Sequence, residues 1–288
     1  MNIILDYLKS LFDISSDTAA TIIITLSVFI SSMLFTEIYK TSVRALERLN
    51  KRKMIIYFIN HLTMDLRKQA KIWEQTVEMV NLYTVKDFSF KRKVIDLSPI
   101  DSLGYHEIYN SFFKGFENFG ISNKLKIKSF NKFWNTIKAI EFWQDKSYES
   151  ITYFIEKYNE YNDKRNESLE EFRKLTDQMT LNYAEMLSDN GHAEYVMEIN
   201  KIKLDWHSME KNTQPDIVNK HLVQRVLKYN KLNPTIRTLP ITDVLLNAEI
   251  QYLNIEHLLE SYKKQFENYR QINLYNAKFI QATLKYMN

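Results

Sequence analysis

The first 98 residues of the chain contain neither glycine nor proline, and all 288 residues include only four of each. Glycine permits sharp turns and proline interrupts helices, so a chain nearly without them has few places to reverse direction. Hydrophobic residues make up 45% of the sequence, which is ample for a packed core. We therefore predict a mostly α-helical fold built from long helices.

Residues 18–36, TAATIIITLSVFISSMLFT, form a run of nineteen residues without a charge, between Asp17 and Glu37. As a helix this run is about 28 Å long, close to the thickness of a bilayer's hydrocarbon core. The preceding residues carry one lysine and three aspartates, unlike a signal peptide, and no small-residue cleavage site follows. A buried core helix is the alternative. We predict an uncleaved transmembrane helix at residues 17–38.

A cluster of basic residues follows the apolar run, whereas only Lys9 precedes it. Because cytoplasmic flanks of membrane helices are enriched in lysine and arginine, we expect a single-pass protein of the inner or plasma membrane. Its N-terminus would lie outside and its C-terminal domain in the cytoplasm. The cluster also suits contact with anionic lipid, so membrane lipid is an expected partner. This basic juxtamembrane helix, residues 39–53, contains Lys40, Arg44, Arg48, Lys51, Arg52 and Lys53.

Small and hydroxylated residues occupy one half of the predicted spanning helix, and large apolar residues occupy the other half. Small residues let two helices approach closely within a membrane. Alternatively, serine and threonine hydroxyls bond back to their own helix and carry no such meaning. We expect a helix–helix seam that supports a homo-oligomer or binds a partner transmembrane helix. The seam comprises Ala20, Thr21, Thr25, Ser27, Ser31, Ser32 and Thr36.

Residues 1–16 show the same division on a smaller scale. One side of a helical projection is apolar and the other carries Asp6, Lys9, Ser10 and Asp13. We predict an interfacial amphipathic helix that lies on the membrane surface. The apolar side comprises Ile3, Ile4, Leu5, Tyr7, Leu8, Leu11 and Phe12.

Residues 54–288 are predicted to form a cytoplasmic α-helical domain, an elongated bundle with long antiparallel helices. Helical periodicity marks one long helix over residues 147–188 and another from Pro240 to the C-terminus. Ser98 and Pro99 fit the start of a short helix that ends at Gly120. Residues 124–128 alternate between lysine and apolar side chains, which indicates a brief strand.

Each of the two long helices carries a stripe of aromatic residues, and we expect the stripes to pack the helices together. Between these helices, Pro215 and Pro234 delimit shorter helices. The stripes are Tyr148, Phe154, Tyr158 and Tyr161 in the first helix, and Tyr252, Tyr262, Phe266 and Tyr269 in the second.

The sequence offers no recognisable catalytic chemistry. The absence of cysteine excludes disulfides, thiolate metal sites and cysteine nucleophiles. Residues 115–120 have the glycine spacing of a phosphate loop, but Ile121 stands where the lysine is needed. His106 and Glu107 begin a zinc-protease motif that has Asn110 in place of the second histidine. We predict no catalytic, metal or cofactor site and hence no enzyme.

His61 and Asp65 lie one helical turn apart, and no second pair is spaced to complete a metal site with them. A surface hydrogen bond is the expected role of this pair. Lys91, Arg92 and Lys93 form a basic cluster near Phe88 and Phe90. The net charge of the chain is only +4, so nucleic acid is not an expected partner.

These features favour a membrane-anchored helical interaction or scaffold protein that self-associates through its spanning helix and presents its bundle to an unidentified cytoplasmic protein. A membrane-permeabilising effector triggered through the cytoplasmic domain is the first alternative. A membrane-tethered hydrolase or nuclease is the second. The layout is similar to that of several membrane-anchored bacterial proteins, including effectors of antiphage defence, and no motif in the chain ties it to one of them.

Overall fold

A computed structural model describes residues 6, 7, 10, 15–81, 90, 94–113, 123–182, 190–234 and 238–287. Within these ranges the chain is almost entirely helical and contains no strand, which confirms the predicted helical class. The predicted interfacial helix at residues 1–16 lies mostly outside the described residues. The glycine-containing segment 115–120 and the basic cluster 91–93 also lie outside them.

Three of the helices are long, as expected for a chain with so few glycines and prolines. We number them α1 to α7 in chain order. They are α1 (Ser16–Asn81), α2 (Ser98–Phe113), α3 (Asn123–Leu181), α4 (Asn190–His207), α5 (Pro215–Val218), which continues through a π-helical turn (Asn219–Val223) into α6 (Gln224–Leu232), and α7 (Leu239–Met287).

Helix α1 runs for 66 residues, about 100 Å, without interruption. It begins where the Ser15 hydroxyl accepts a hydrogen bond from the Thr18 backbone N–H at 3.3 Å, and Asp17 lies in its first turn. A side-chain cap and an early acidic residue both favour a helix start. No proline or glycine follows to end the helix. The apolar run and the basic juxtamembrane residues therefore belong to one helix.

The predicted strand at residues 124–128 is wrong, because α3 begins at Asn123 and is helical throughout. The prediction rested on the alternation of Lys124, Lys126 and Lys128 with apolar side chains, which is the spacing of a strand. In the structure Lys126 is buried on the same face as Phe130 and Phe133, which follow it at helical spacing. A lysine stem packs readily in an apolar environment, so the charge does not mark an exposed position. The first long helix thus begins well before residue 147.

Helix α2 begins at Ser98, as predicted, and is bent within its first two turns. Asp96 accepts a hydrogen bond from the Ser98 backbone N–H at 2.9 Å at its start. The bend lies at Gly104, whose backbone has φ 68° and ψ 163°. An L-residue rarely adopts this conformation, so the glycine is required by the backbone. The helix ends at Phe113, and the predicted end at Gly120 lies outside the described residues.

The chain forms two compact units. The first comprises Met1–Leu62, Asp96–Asn135 and Ile280–Asn288. In its described part, α1, α2 and α3 contribute fully buried side chains to a core, and the ring of Phe130 lies 4.9 to 5.7 Å from three aromatic rings of α2. The buried residues include Ile55, Ile59, Ile108, Phe112, Phe130 and Phe133.

The second unit comprises Thr63–Ile95 and Thr136–Phe279. Its first core is aromatic: Trp73 of α1 lies 5.4 Å from Phe266 and 5.2 Å from Tyr269, both on α7. Phe154 of α3 lies 5.1 Å from Tyr262 and 5.5 Å from Phe266. The contacts of Phe154 confirm that the two long helices pack through their aromatic stripes, but Tyr148 of the first stripe is 51% exposed and lies outside this core. Aromatic pairs at such distances add to the free energy gained by burial.

A second core in this unit surrounds Phe172 of α3. The shorter helices on either side of Pro215, which confirm the helices predicted between the two long ones, pack there against the start of α7. The residues that form this core are Phe172, Tyr195, Ile199, Ile202, Val218, Leu222, Val223, Val226, Ile241 and Leu245.

Replacing Phe266 with alanine should lower the free energy of unfolding by about 3–5 kcal/mol, because it leaves a cavity between α1, α3 and α7. Denaturant unfolding in detergent, followed by tryptophan fluorescence, measures this change. Tyr275→Ala on the same helix is the matched control, since Tyr275 is 66% exposed. Equal destabilisation by both variants would contradict the aromatic core.

Candidate functional site

The apolar run of α1 is exposed on the protein surface. Its most apolar 18-residue window has a mean hydropathy of 2.0, and only 6% of that window is buried. Ile24, Val28 and Phe35 expose 63%, 64% and 76% of their side-chain surface. By length and composition this helix is able to cross a membrane. Monomeric soluble proteins rarely leave an apolar surface of this extent uncovered.

Three threonines of the predicted seam use their hydroxyl protons within the helix. Thr21 donates to the Asp17 carbonyl, Thr25 to the Thr21 carbonyl and Thr36 to the Ser32 carbonyl, each at 2.8 Å. These bonds match the alternative given above for the hydroxyl face, in which threonine hydroxyls bond to carbonyls of their own helix. An association across this face would therefore depend mainly on close packing.

The seam residues lie on a single exposed helix, and the structure contains one copy of it. Ala20 is half-buried, whereas the other six residues are exposed. Small side chains and exposure are the two properties that close helix packing requires. The seam residues therefore form an accessible helix surface that a second helix could contact.

The six basic juxtamembrane residues divide into two groups in the structure. Lys51 donates to the Glu107 carboxylate of α2 at 3.2 Å, and the Arg52 guanidinium lies 5.5 Å from the centre of the Phe112 ring. Arg48 is half-buried on the same side of α1. Lys51 and Arg52 therefore contact α2 within the first unit, but the Lys51–Glu107 pair is exposed and adds little to stability, and Arg48 Nε has no hydrogen-bond partner among the described residues.

The other basic residues of the cluster are exposed. Lys40 lies 3.3 Å from Glu37, one turn earlier on α1, and Arg44 and Lys53 extend into solvent. An exposed pair such as Lys40–Glu37 contributes little to stability. Lys40, Arg44 and Lys53, together with Lys51, whose side chain is 45% exposed, therefore supply most of the accessible positive charge at the end of the apolar run.

The histidine and acidic residues considered for chemistry are engaged separately. Glu107 pairs with Lys51, and the His106 ring contacts Tyr105 at 5.5 Å. The His61 ring lies 4.4 Å from Tyr57. Among the described residues, no group of three histidine, aspartate or glutamate side chains is positioned to hold a metal ion.

A cleft of about 600 Å³ opens in the second unit between α3, α4 and the π-helical turn. Phe172, Val218 and Leu222 form its buried floor, and Trp206 lines one wall. Cavities of this size accommodate small ligands or the side chains of a partner. Sequence periodicity did not reveal the cleft, because its lining comes from three separate helical segments.

Charges on the rim of this cleft are balanced. Lys203 Nζ lies 3.1 Å from Asp177 Oδ1 and 3.1 Å from Thr176 Oγ1. Arg173 lies 3.9 Å from both Glu170 and Asp177. Because each cation already has an acidic neighbour, the rim suits an uncharged group better than a polyanion.

The turn beside the cleft has an unusual backbone. Lys211 has φ 57°, a conformation that non-glycine residues seldom adopt. The Trp206 indole N–H donates to the Asn212 carbonyl at 2.7 Å, and the Asn212 amide donates to the His207 carbonyl at 3.1 Å. These two bonds close the turn after α4 and hold Trp206 in the cleft wall.

A buried hydrogen-bond chain joins α4, α6 and α7 near the same core. The Tyr195 hydroxyl donates to Asn230 Oδ1 at 2.9 Å, and the Asn230 amide donates to Thr242 Oγ1 at 2.9 Å. Burial raises the pKa of Tyr195 to about 12, so its hydroxyl remains a neutral donor at physiological pH. Asn230 is a polar residue on a buried face, and the sequence alone could not identify its partners.

Arg165 of α3 is a second buried polar group in this unit, only 4% exposed. Burial lowers the pKa of its guanidinium, and the neighbouring Tyr158 and Tyr252 act in the opposite direction. Arginine nonetheless stays protonated in proteins, so the unit contains a buried positive charge.

Comparison of the chain with protein-family models, with curated proteins and with solved structures finds no match. Its function must therefore be inferred from the physical properties of the surfaces described above.

Replacing Asn230 with alanine should cost about 1–3 kcal/mol of unfolding free energy, because it leaves the Tyr195 and Thr242 hydroxyls without their buried partner. Tyr195→Phe should add little to Asn230→Ala, since both changes break one chain of bonds. A double-mutant cycle by denaturant unfolding tests this. Asn247→Ala is the control, because Asn247 is exposed on α7. Strictly additive losses would show that the two residues act independently.

Proposed function

We propose that this chain is a single-pass membrane protein that self-associates through α1 and presents its helical units to a protein partner in the cytoplasm. The observation that carries the proposal is the exposed apolar run of α1. In water this surface would be unfavourable and would promote aggregation.

Burial in lipid removes that penalty. Each large aliphatic or aromatic side chain gains about 1.5–3 kcal/mol on leaving water, so the run gains on the order of 10 kcal/mol or more. A continuous helix also satisfies its backbone hydrogen bonds internally, which a hydrocarbon environment requires. The unbroken course of α1 through residues 18–36 meets that requirement.

The distribution of charge supports a cytoplasmic placement of the residues after the span. Residues 39–53, which directly follow the span, contain six lysines and arginines against one acidic residue, Glu47. Basic residues close to a span remain on the cytoplasmic side. The proposed domain on that side is a bundle in which the long helices run antiparallel.

The seam supports self-association. Small residues at exposed positions of a membrane helix allow backbones to approach, and packing then supplies most of the attraction. The bonding of three threonine hydroxyls within α1 fits this mode, because little depends on new hydrogen bonds between helices.

A membrane-permeabilising effector is the second candidate, and the same exposed hydroxyl face favours it. In an assembly of several copies this face lines water when the helices splay, whereas it is dry in a close pair. The two candidates therefore share the anchor and differ in how the assembled helices are arranged.

The anchored state predicts that the protein stays in the membrane fraction after washing with high salt and with alkali, and leaves it only in detergent. Burial of the apolar run is independent of ionic strength and pH, unlike surface attachment. A cytoplasm-dependent reporter fused after Asn288 should be active. Release of intact protein by alkali would disprove the span, and an inactive reporter with the span intact would disprove the orientation.

Changing Ser27 and Ser31 together to leucine should abolish or strongly reduce self-association in membranes, because the added bulk prevents close approach of the helices. Chemical crosslinking followed by gel electrophoresis in detergent measures the oligomer. Ile22→Leu with Met33→Leu is the matched control on the opposite face, where both residues are exposed. If the serine variant crosslinks as the parent does, the seam does not mediate association and α1 serves only as a membrane anchor.

If the parent protein causes an ion leak in liposomes and the serine variant does not, the result favours the membrane-permeabilising effector over the scaffold protein. An absence of any leak in the parent protein would remove that candidate.

A further inference from the structure

An exposed stripe continues along α1 beyond the apolar run. It comprises Tyr39, Val43, Leu46 and Asn50, at successive spacings of four, three and four residues. Tyr39 and Leu46 are 71% and 60% exposed, Val43 is 36% exposed, and Asn50 is also exposed. Spacing that alternates between three and four residues is the heptad pattern of helices that pair side by side.

The opposite face of α1 is already covered within the first unit. Ile55 and Ile59 are buried there, and Lys51 and Arg52 contact α2. At about 100° per residue, the mean direction of these side chains lies about 180° from that of the stripe. The first unit therefore packs on one side of α1 and leaves the stripe without a partner in the described chain.

We propose that the stripe pairs with the same stripe of a second copy, as a short parallel two-helix coiled coil on the cytoplasmic side of the membrane. This inference rests on the proposed membrane anchor and adds a second, water-exposed interface to the seam. Two copies inserted through the same helix lie parallel and at equal depth, so each stripe residue meets its counterpart.

The residue types fit this occupant. Counting Val43 as the a position of a heptad places Leu46 at d and Asn50 at the next a. A β-branched residue at a with leucine at d favours two strands, and one asparagine at a fixes the register and the number of helices. Each Asn50 side chain would hydrogen-bond its counterpart across the pair.

The stripe is continuous with one edge of the seam, whereas Ser27 and Ser31 fall at f and c positions of the same heptad count and lie on another side of α1. Thr36 occupies an a position and Ser32 a d position of the same heptad count, and both are exposed. Residues 32–50 together extend about 27 Å along the helix. An isolated coiled coil of this length is marginal in water. The span raises the local concentration of the second copy, and this offsets the weakness.

Most of the stripe lies too far from the hydrocarbon core for lipid to cover it. Asn50 lies fourteen residues beyond Thr36, about 21 Å along the helix. The headgroup region adds only some 5–8 Å to each side of the hydrocarbon core, so Val43, Leu46 and Asn50 lie beyond it on a helix near the membrane normal.

The experiment exploits the absence of cysteine from the parent chain. Single cysteines are introduced in the full-length protein at Tyr39, Val43, Leu46 and Asn50. The control positions, Glu37, Thr41 and Arg44, are exposed on other faces of α1. Native membranes are oxidised with copper phenanthroline and dimers are quantified on non-reducing gels. Disulfides form readily only when the Cα atoms approach within about 7 Å.

The proposal predicts a several-fold higher dimer yield at the four stripe positions than at the three controls. Equal yields along the helix, or a maximum at the control positions, would overturn it. Ser31→Cys, on the side of α1 that the serine pair occupies, reports separately on the seam within the membrane. Dimers at Ser31 without dimers at Val43 and Leu46 would refute the coiled coil and leave self-association standing, whereas no dimer at any position would refute both.

Discussion

Removal of apolar surface from water is the constraint on which this structure depends, and α1 meets it in two ways. Past residue 51, one face of α1 is buried in the two helical units, where Ile55, Ile59 and Trp73 are almost fully enclosed. Within residues 18–36 the same helix is apolar and mostly exposed, and Ala19 is its one fully buried residue. In the proposed placement, a bilayer supplies the apolar environment that this run otherwise lacks.

The two faces of α1 after the apolar run explain how its charges are distributed. Residues that contact α2 include Lys51 and Arg52, whose charges are used inside the first unit. The exposed cations Lys40, Arg44 and Lys53 remain available to anionic lipid and to the orientation of the chain. The basic cluster that appears uniform in the sequence thus divides into residues that contact α2 and exposed residues that would face the membrane in the proposed placement.

Much of the fold could be predicted from the sequence because helices are set by local rules. The lack of glycine and proline predicted long helices, Ser98 and Pro99 marked the start of α2, and the aromatic stripe residue Phe154 packs against α7 as expected. The start of α3 was missed because the alternation of lysine and apolar side chains at residues 124–128 has the spacing of a strand. Tertiary neighbours decide which side chains are buried, and here the stem of Lys126 is buried on the helix face that Phe130 shares.

Among the candidate surfaces, those formed within one helix could be predicted from the sequence, and those formed by distant segments could not. The apolar run and its hydroxyl face were visible in the sequence because both follow from helical spacing along one segment. The cleft beside Trp206 and the bonds of Asn230 join residues that are distant in sequence. Whether a hydroxyl bonds to its own helix also required coordinates, and for Thr21, Thr25 and Thr36 it does.

The central claim is that lipid covers the apolar run of α1. A spin label attached to a single cysteine at Leu26, in protein reconstituted into liposomes, tests it most directly through collisions with oxygen and with a polar nickel complex. Oxygen concentrates in hydrocarbon and the nickel complex in water. The account predicts that oxygen collisions dominate at Leu26 and that nickel collisions dominate at the exposed Tyr57. Dominance of the nickel complex at Leu26 would contradict it.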